Sequence, residues 1–137
     1  MYSSTILLVQ PERDAGVYLR TRLEDRGYTV MEAANPEMAM NIVNGSEVAL
    51  VVTELYLPFG TSRCLARAIA KAPALHRTKL LAYTTHGKKQ DRQWARRIGA
   101  DGYVITRSGE ERLLAVVDHL MGAPLSVRRT SKARRSP

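Results

Sequence analysis

The stretch Val48-Ala49-Leu50-Val51-Val52-Thr53 decides the fold. It is a continuous apolar run, and Thr5 to Val9 is a second run of the same kind. Continuous apolar runs, rather than alternating ones, are typical of parallel strands that helices cover on both faces. The two runs are therefore predicted to be central strands of one buried sheet.

Three shorter strands and five helices complete the predicted elements. The remaining strands are predicted at Tyr28 to Glu32, Lys79 to Tyr83 and Tyr103 to Ile105. Apolar spacing and the residues at the helix ends predict five helices. The first has Pro11 in its first turn and stops at Gly27. The others are predicted at Asn35-Pro36 to Asn44-Gly45, Thr61 or Ser62 to Ala72, Lys88 to Ile98, and Glu110 to Met121. The side chains expected to face inward are Met38, Ile42 and Val43, then Trp94 and Ile98, and then Leu113, Leu114, Val117 and Leu120.

Strands that alternate with helices predict a parallel sheet with helices on both faces. Because crossovers between parallel strands are right-handed, only a few doubly wound arrangements remain. The flavodoxin-like α/β order 2-1-3-4-5 fits five units in a chain of 137 residues. The pattern stops after Gly122-Ala123-Pro124, so residues 1–121 are predicted to form one domain and residues 122–137 a flexible tail.

Composition sets limits on the class of protein. A single cysteine, Cys64, forms no internal disulfide and favours a reducing cytoplasm. The sequence has no apolar run of about 18 residues for a membrane span, and Met1-Tyr2-Ser3-Ser4 lacks the pattern of a signal peptide. The net charge is +8, and the last 16 residues contribute five cations and no acid, namely Arg128, Arg129, Lys132, Arg134 and Arg135. Such a tail favours anionic partners.

Polar residues follow four of the predicted strands. Gln10 follows the first strand and Glu54 the third, while Thr84 and Thr106 follow the fourth and fifth. In an open parallel sheet, functional residues gather at the carboxyl ends of the central strands. These four residues are therefore expected around one small crevice.

Three segments resemble signatures of the bacterial response-regulator receiver domain. They are Ile6-Leu7-Leu8-Val9-Gln10-Pro11-Glu12, Val51-Val52-Thr53-Glu54-Leu55-Tyr56-Leu57-Pro58, and Gly99-Ala100-Asp101-Gly102-Tyr103-Val104-Ile105-Thr106-Arg107. The resemblance covers roughly residues 5–121. It implies a CheY-like fold and a role in two-component signal transduction or a phosphorelay, without enzymatic activity.

Each segment departs from the family at the residue that carries the chemistry. The resemblance implies two Mg²⁺-binding acids at Gln10 and Pro11, a phosphate-accepting aspartate at Glu54, and a lysine followed by proline at Thr106-Arg107. An amide and a proline are poor ligands for Mg²⁺. Glu12 beside them is a poor substitute for the two acids. The chain is therefore expected to be a pseudo-receiver that takes up neither phosphate nor metal.

Two switch positions of the family are retained. Thr84 matches the hydroxyl residue that contacts phosphate, and Tyr103 matches the aromatic residue whose orientation reports activation. One hypothesis is that Glu54 mimics a phosphorylated aspartate by offering its carboxylate to Thr84 and so holds Tyr103 inward. The alternative is that Glu54 is a solvated carboxylate and that Tyr103 only packs.

The predicted fourth helix carries Lys88, Lys89, Arg92, Arg96 and Arg97 against one acid, Asp91. In receivers this helix, the fifth strand and the fifth helix form the docking surface for partners, so we expect a signalling protein to bind there. The layout also resembles that of single-domain receiver-like proteins that capture cyclic di-GMP through an arginine-rich tail; the cations that would serve are those of helix 4, Arg107 and the tail. Nucleic-acid binding through the tail is a weaker alternative, and a solubilising tail is a further one.

Other candidate residues give weaker signals. A true phospho-receiver with a displaced acceptor would use Asp14 or Asp101. The three histidines, His76, His86 and His119, are scattered, so no metal site is expected. Cys64 is expected to pack on helix 3.

Overall fold

The computed structural model describes residues 4–57, 60–61, 63–71 and 78–122. Its main sheet has five parallel strands, β1 (Thr5–Val9), β2 (Thr29–Ala33), β3 (Leu50–Thr53), β4 (Lys79–Thr84) and β5 (Gly102–Ile105). They lie in the order β2-β1-β3-β4-β5, which confirms the predicted flavodoxin-like arrangement. The helices are α1 (Arg13–Asp25), α2 (Pro36–Gly45), α3 (Arg63–Lys71), α4 (Lys89–Arg97) and α5 (Glu110–Met121).

The sheet separates two apolar layers, which explains the continuous apolar runs. Along β1, Ile6 and Leu8 pack on one face with residues of α1 and α5. Leu7 and Val9 pack on the other face with residues of α2 and α3. All four side chains are fully buried. Since burial of such a side chain contributes about 1.5–3 kcal/mol, both faces of this strand stabilise the fold.

A short antiparallel pair of two-residue strands, Tyr56–Leu57 and Gly60–Thr61, follows β3. The predicted start of a helix at Thr61 is therefore wrong, because Thr61 lies in this pair and α3 begins at Arg63. Pro58, Ser62, Ala72 and the residues between Lys71 and Thr78 lie outside the described residues, as does the tail beyond Gly122. The predicted cap at Ser62, the predicted helix end at Ala72 and the division at residue 122 therefore stay predictions.

The element boundaries differ from prediction by one or two residues at several places. Helix α1 begins at Arg13, so Pro11 precedes the helix instead of occupying its first turn. Strand β2 is shifted by one residue, and β3 begins at Leu50 rather than Val48. The predicted stop of α1 is confirmed, because Gly27 has a φ of +93°, a conformation that glycine adopts without strain.

The predicted inward position of Met38 is wrong. The Asn35 side chain caps α2 by accepting a hydrogen bond from the Met38 backbone N–H at 2.9 Å. This start turns Ala39 and Val43 toward the sheet and leaves Met38 47% exposed. The predicted packing of Cys64 is wrong as well: Leu65, Ala66 and Ile69 form the buried side of α3, and Cys64 is exposed.

The longest helix among the described residues is α1, with 13 residues. No helix in this part of the chain is both long and apolar enough to cross a bilayer.

Candidate functional site

The four polar residues predicted to form a crevice lie at the same edge of the sheet. The parallel register places Val9 beside Thr53, and Thr84 beside Ile105. Gln10 and Glu54 follow directly, each anchored by its backbone N–H: Gln10 N donates to Ala33 O and Glu54 N donates to Val9 O, both at 3.1 Å. Thr106 begins a short 3-10 turn after β5.

The polar side chains at this edge bind neighbouring backbone groups. The half-buried Glu54 carboxylate accepts a hydrogen bond from the Leu55 backbone N–H at 2.6 Å. The hydroxyl of the fully buried Thr84 accepts one from the His86 backbone N–H at 3.1 Å. Among the hydrogen bonds of the described residues, none joins Glu54 to Thr84. In this structure the carboxylate therefore does not contact the switch hydroxyl.

The donor set at this edge does not fit Mg²⁺, the metal that the resemblance to receivers implies. Magnesium prefers hard, mostly anionic oxygen ligands in octahedral geometry. Of the four residues that follow the strands, Glu54 supplies the one carboxylate, and Glu12 is exposed at the start of α1. Gln10 contributes a carboxamide whose buried Nε2 has no partner among the described residues, and Pro11 has no polar side-chain atom. Nor do the described residues hold any cluster of three or more His, Cys, Asp or Glu that is suited to a metal.

The position of the family's lysine is neutral here. Thr106 is half-buried, and its carbonyl accepts a hydrogen bond from the Gly109 N–H at 3.2 Å. Arg107 is exposed on the same 3-10 turn. The loop before α4 lies tightly on β5 at Gly87, because a Cβ there would stand 2.8 Å from Ile105 Cδ1. A side chain at position 87 would require the end of the Ile105 side chain to shift.

An aromatic cluster of Tyr56, His86, Trp94 and Tyr103 lies beside the crevice. The Tyr56 ring stacks on Trp94 with centroids 5.8 Å apart and meets His86 edge-on at 4.4 Å. The Tyr56 hydroxyl donates to Asp91 Oδ1 at 2.6 Å. These contacts tie the segment after β3 to α4. Tyr56 was not predicted as a site residue, since no local pattern relates residue 56 to residues 86, 91 and 94.

The hydrogen bond between Tyr56 and Asp91 shifts the pKa values of the two groups in opposite directions. It raises the pKa of Tyr56 to about 12, because the carboxylate stabilises the protonated phenol. The same bond is the main cause that lowers the pKa of Asp91, with a further contribution from the Lys88 backbone N–H. That N–H donates to Asp91 Oδ2 at 3.2 Å and so stabilises the start of α4.

Tyr103, the predicted switch residue, is half-buried against the same loop. Its hydroxyl donates to the His86 carbonyl, and the Arg92 guanidinium carbon lies 5.9 Å from the centre of its ring. Burial raises the pKa of Tyr103; the charges of Asp91 and Glu54 raise it further, and Arg92 opposes them. Tyr103 thus connects the crevice to α4 and β5.

The cations of α4 divide between its two flanks. Arg92 and Arg96 line one groove of about 370 Å³, here called the α4–α5 groove, together with Asp101, Tyr103, Val104, Ile105 and Arg112. Arg97 lines a second groove of about 330 Å³, the α3–α4 groove, together with Arg63, Ala66, Arg67, Trp94 and Ile98. Lys88 and Lys89 are exposed at the start of α4, outside both linings.

The other candidates are not brought together. Asp14 is exposed on α1, and Asp101 Oδ2 accepts a hydrogen bond from the Leu80 N–H at 2.8 Å. His86 joins the aromatic cluster, whereas His119 is exposed on α5. The remaining candidates lie outside the described residues, namely His76, Arg128, Arg129, Lys132, Arg134 and Arg135.

Comparison with known proteins agrees with this fold. Residues 6–118 match the response regulator receiver domain family, and the chain belongs to it. Receiver domains are signalling modules of two-component systems. The finding confirms the resemblance drawn from the three sequence segments.

Individual relatives are distant. The chain is 26% identical over 110 residues to the transcriptional regulatory protein CpxR of Escherichia coli K12, covering 80% of this chain and 46% of CpxR. It therefore spans about half the length of this relative. Among solved structures, the non-phosphorylated HemR receiver domain of Leptospira biflexa has a TM-score of 0.78 at 27% identity, with 88% of this chain and 95% of that chain covered. Chemotaxis protein CheY4 of Vibrio cholerae has a TM-score of 0.79 at 20% identity, over 88% and 99%.

Proposed function

We propose that this receiver does not take up phosphate and instead signals by binding a protein partner at the face formed by α4, β5 and α5. The observation that carries the proposal is the setting of Glu54. Its carboxylate lies in the acceptor position, but Gln10 and Pro11 replace the metal-binding acids and Thr106 replaces the lysine. The backbone N–H of Leu55 donates a hydrogen bond to Oε2 of this carboxylate.

The chemistry of phosphoryl transfer supports this proposal. Transfer depends on positioning and on neutralising the charge of the incoming phosphoryl group, which metal ions and cationic side chains provide. The crevice offers a neutral amide and a neutral hydroxyl at the corresponding positions. An anion that approached Glu54 would therefore meet a negative charge without compensation.

The contacts of Tyr103 support the choice of binding face. The residue bonds to the loop before α4 and carries Arg92 on its ring, so it links the crevice to the α4–α5 groove. Arg92, Arg96 and Arg112 outnumber Asp101 in the lining of that groove and make it cationic. A partner that favours one arrangement of Tyr103 and α4 would shift this receiver without phosphate, because a ligand acts through differential affinity.

Phosphate uptake is tested by incubating the full chain with acetyl phosphate and Mg²⁺ and measuring its intact mass. We expect no phosphate adduct. The matched control is the variant Gln10→Asp/Pro11→Asp/Glu54→Asp/Thr106→Lys, which restores the family's residues and is expected to gain the adduct. An adduct on the native chain that maps to Glu54, Asp14 or Asp101 would contradict the proposal.

The binding face is tested by quantitative affinity capture from the cells that produce the chain. Arg96→Glu places a negative charge in the α4–α5 groove, whereas Arg13→Glu makes the same change at an exposed position of α1. We expect Arg96→Glu to lose a partner that both the native chain and Arg13→Glu retain. Equal capture by all three proteins would argue against this face.

Cyclic di-GMP is a second candidate ligand for the same face. The α4–α5 groove combines three guanidinium groups with a tyrosine ring, and guanidinium groups both fork onto phosphates and stack on bases. The cations of the tail and Arg107 would add to this binding. Saturable binding of fluorescent cyclic di-GMP that resists GTP and weakens in Arg96→Glu would favour the dinucleotide; binding that GTP removes equally well would return the assignment to a protein.

A further inference from the structure

The helix α4 has an arginine-lined groove on each flank, and the binding face proposed above uses only one of them. The α3–α4 groove lies on the other flank, between α3 and α4. Arg63 and Arg67 lie one turn apart on α3, so their side chains share one side of that helix. Arg97 faces them from α4.

The lining of the α3–α4 groove combines a cationic rim with an apolar floor. Three arginines form the rim, and Ala66, Ile98 and the half-buried Trp94 supply apolar surface. Among the described residues that line the groove, none carries a carboxylate. Arg67 and Arg97 are exposed and form no ion pair with another described residue. Their charges are thus available to a ligand.

The aromatic rings near both grooves are already engaged. Trp94 is stacked on Tyr56, and Arg92 lies over the ring of Tyr103. Single-stranded nucleic acid binds through free aromatic faces on which bases stack, in addition to cations. The apolar surface beside the rim of the α3–α4 groove comes from Ala66 and Ile98, together with the part of Trp94 that Tyr56 leaves uncovered. One partly covered indole offers little stacking surface to a run of bases, so an aliphatic side chain of a protein fits this groove better.

The charge distribution along the chain favours an acidic partner at this side of the molecule. Residues 1–57 contain eight acids and four Lys or Arg, whereas residues 58–122 contain twelve Lys or Arg and five acids. The second segment includes α3, α4 and α5. A surface of one sign attracts and orients a partner of the opposite sign.

We propose that the partner extends across α4 into the α3–α4 groove with an acidic segment. Its carboxylates bind Arg67 and Arg97, and an aliphatic side chain packs on Ala66 and Ile98. A helix is about 10 Å wide, so at least about three extended residues cross α4 from one groove to the other. The proposal rests on the proposed function, because the same partner also contacts the α4–α5 groove.

The experiment selects peptides of about twelve residues from a random phage library on the immobilised full chain. We expect enrichment of Asp or Glu together with Leu, Ile or Val. The affinity of a selected, fluorescently labelled peptide is then measured by anisotropy for three variants. Arg67→Ala/Arg97→Ala is expected to weaken binding by at least about tenfold, while the control Arg13→Ala is expected to bind like the native chain. Arg92→Ala/Arg96→Ala tests the α4–α5 groove separately.

The outcomes distinguish the two proposals. Weakening in Arg92→Ala/Arg96→Ala alone would keep the proposed binding face and overturn the extension into the α3–α4 groove. Weakening in Arg67→Ala/Arg97→Ala alone would support that groove and contradict the proposed face. No acidic enrichment, or equal affinity for all variants, would overturn the inference. So would a single-stranded oligothymidine that displaces the peptide and binds more tightly, because nucleic acid would then be the ligand.

Discussion

Arginines on α1 and arginines around α4 have opposite surroundings. On α1, Arg20 pairs with Glu24 at 3.2 Å and with Glu32 at 3.1 Å, and Arg26 at the end of that helix pairs with Asp118 of α5. Around α4, Arg96 and Arg97 form no ion pair with another described residue. Paired arginines join elements of the fold, whereas the others leave their charge available for binding.

This difference distinguishes arginines that stabilise the fold from arginines that are available for binding, which composition alone does not do. The net charge of +8 counts every cation equally. Removing a guanidinium between α1 and α5 leaves its carboxylate without that partner, and this lowers the stability of the fold. A guanidinium that faces a groove can be removed with little effect on folding, so its contribution belongs to recognition.

The largest loss of stability is expected from a substitution among the paired residues between α1 and α5. Asp118→Ala removes the acceptor of the Tyr28 hydroxyl at 2.6 Å and the partner of Arg26. Because Tyr28 is buried and this carboxylate is largely so, we expect a loss of about 1–3 kcal/mol in the free energy of unfolding. Urea denaturation measures it. Asp25→Ala, the same change at an exposed position of α1, should cost much less; equal losses would show that the network does not stabilise the fold.

A smaller loss of stability is expected when the hydrogen bond between Tyr56 and α4 is removed. Tyr56→Phe keeps the ring on Trp94 and removes the hydrogen bond to Asp91. Since Tyr56 is 42% exposed, we expect the melting temperature to fall by only about 2–4 °C at neutral pH.

This loss should also depend on pH. The pKa of Tyr56 is about 12 in the folded protein and about 10 in an unfolded chain. The stabilisation is therefore complete below about pH 10 and disappears as the pH rises toward about 12. Melting curves of both proteins between neutral and alkaline pH should converge; a constant difference would mean that the phenol proton is not involved.

The smallest effect is expected around α4. Arg96→Ala and Arg97→Ala should each change the free energy of unfolding by no more than about 0.5 kcal/mol. Arg26→Ala provides the contrast, since it breaks the pair with Asp118. If Arg96→Ala or Arg97→Ala were as destabilising as Arg26→Ala, the distinction between paired and available arginines would fail.

The fold was predictable because its signals are local. The apolar runs of β1 and β3 report burial on both faces, and Asn35-Pro36 marks the start of α2. The inward position of Met38 was predicted wrongly, because spacing alone does not show which side of a short helix faces the sheet. That phase depends on the cap at Asn35 and on the packing of Ala39 and Val43.

The site was predictable only in part. Strand ends placed Gln10, Glu54, Thr84 and Thr106 at one edge, because parallel strands align their carboxyl ends. The aromatic cluster was not predictable, since Tyr56 meets residues more than 29 positions away. The sequence grouped Arg92, Arg96 and Arg97 as cations of one predicted helix. Their separation into two grooves depends on where α3 and α5 lie.

The stacking of Trp94 on Tyr56 has a spectroscopic consequence. Trp94 is the single tryptophan of the chain. It stacks on Tyr56 and also lines the α3–α4 groove. Selective excitation of its indole therefore reports on this one place without any label. A change in emission on Tyr56→Phe would signal movement at the crevice, and quenching by an added solute would measure how far the groove is covered.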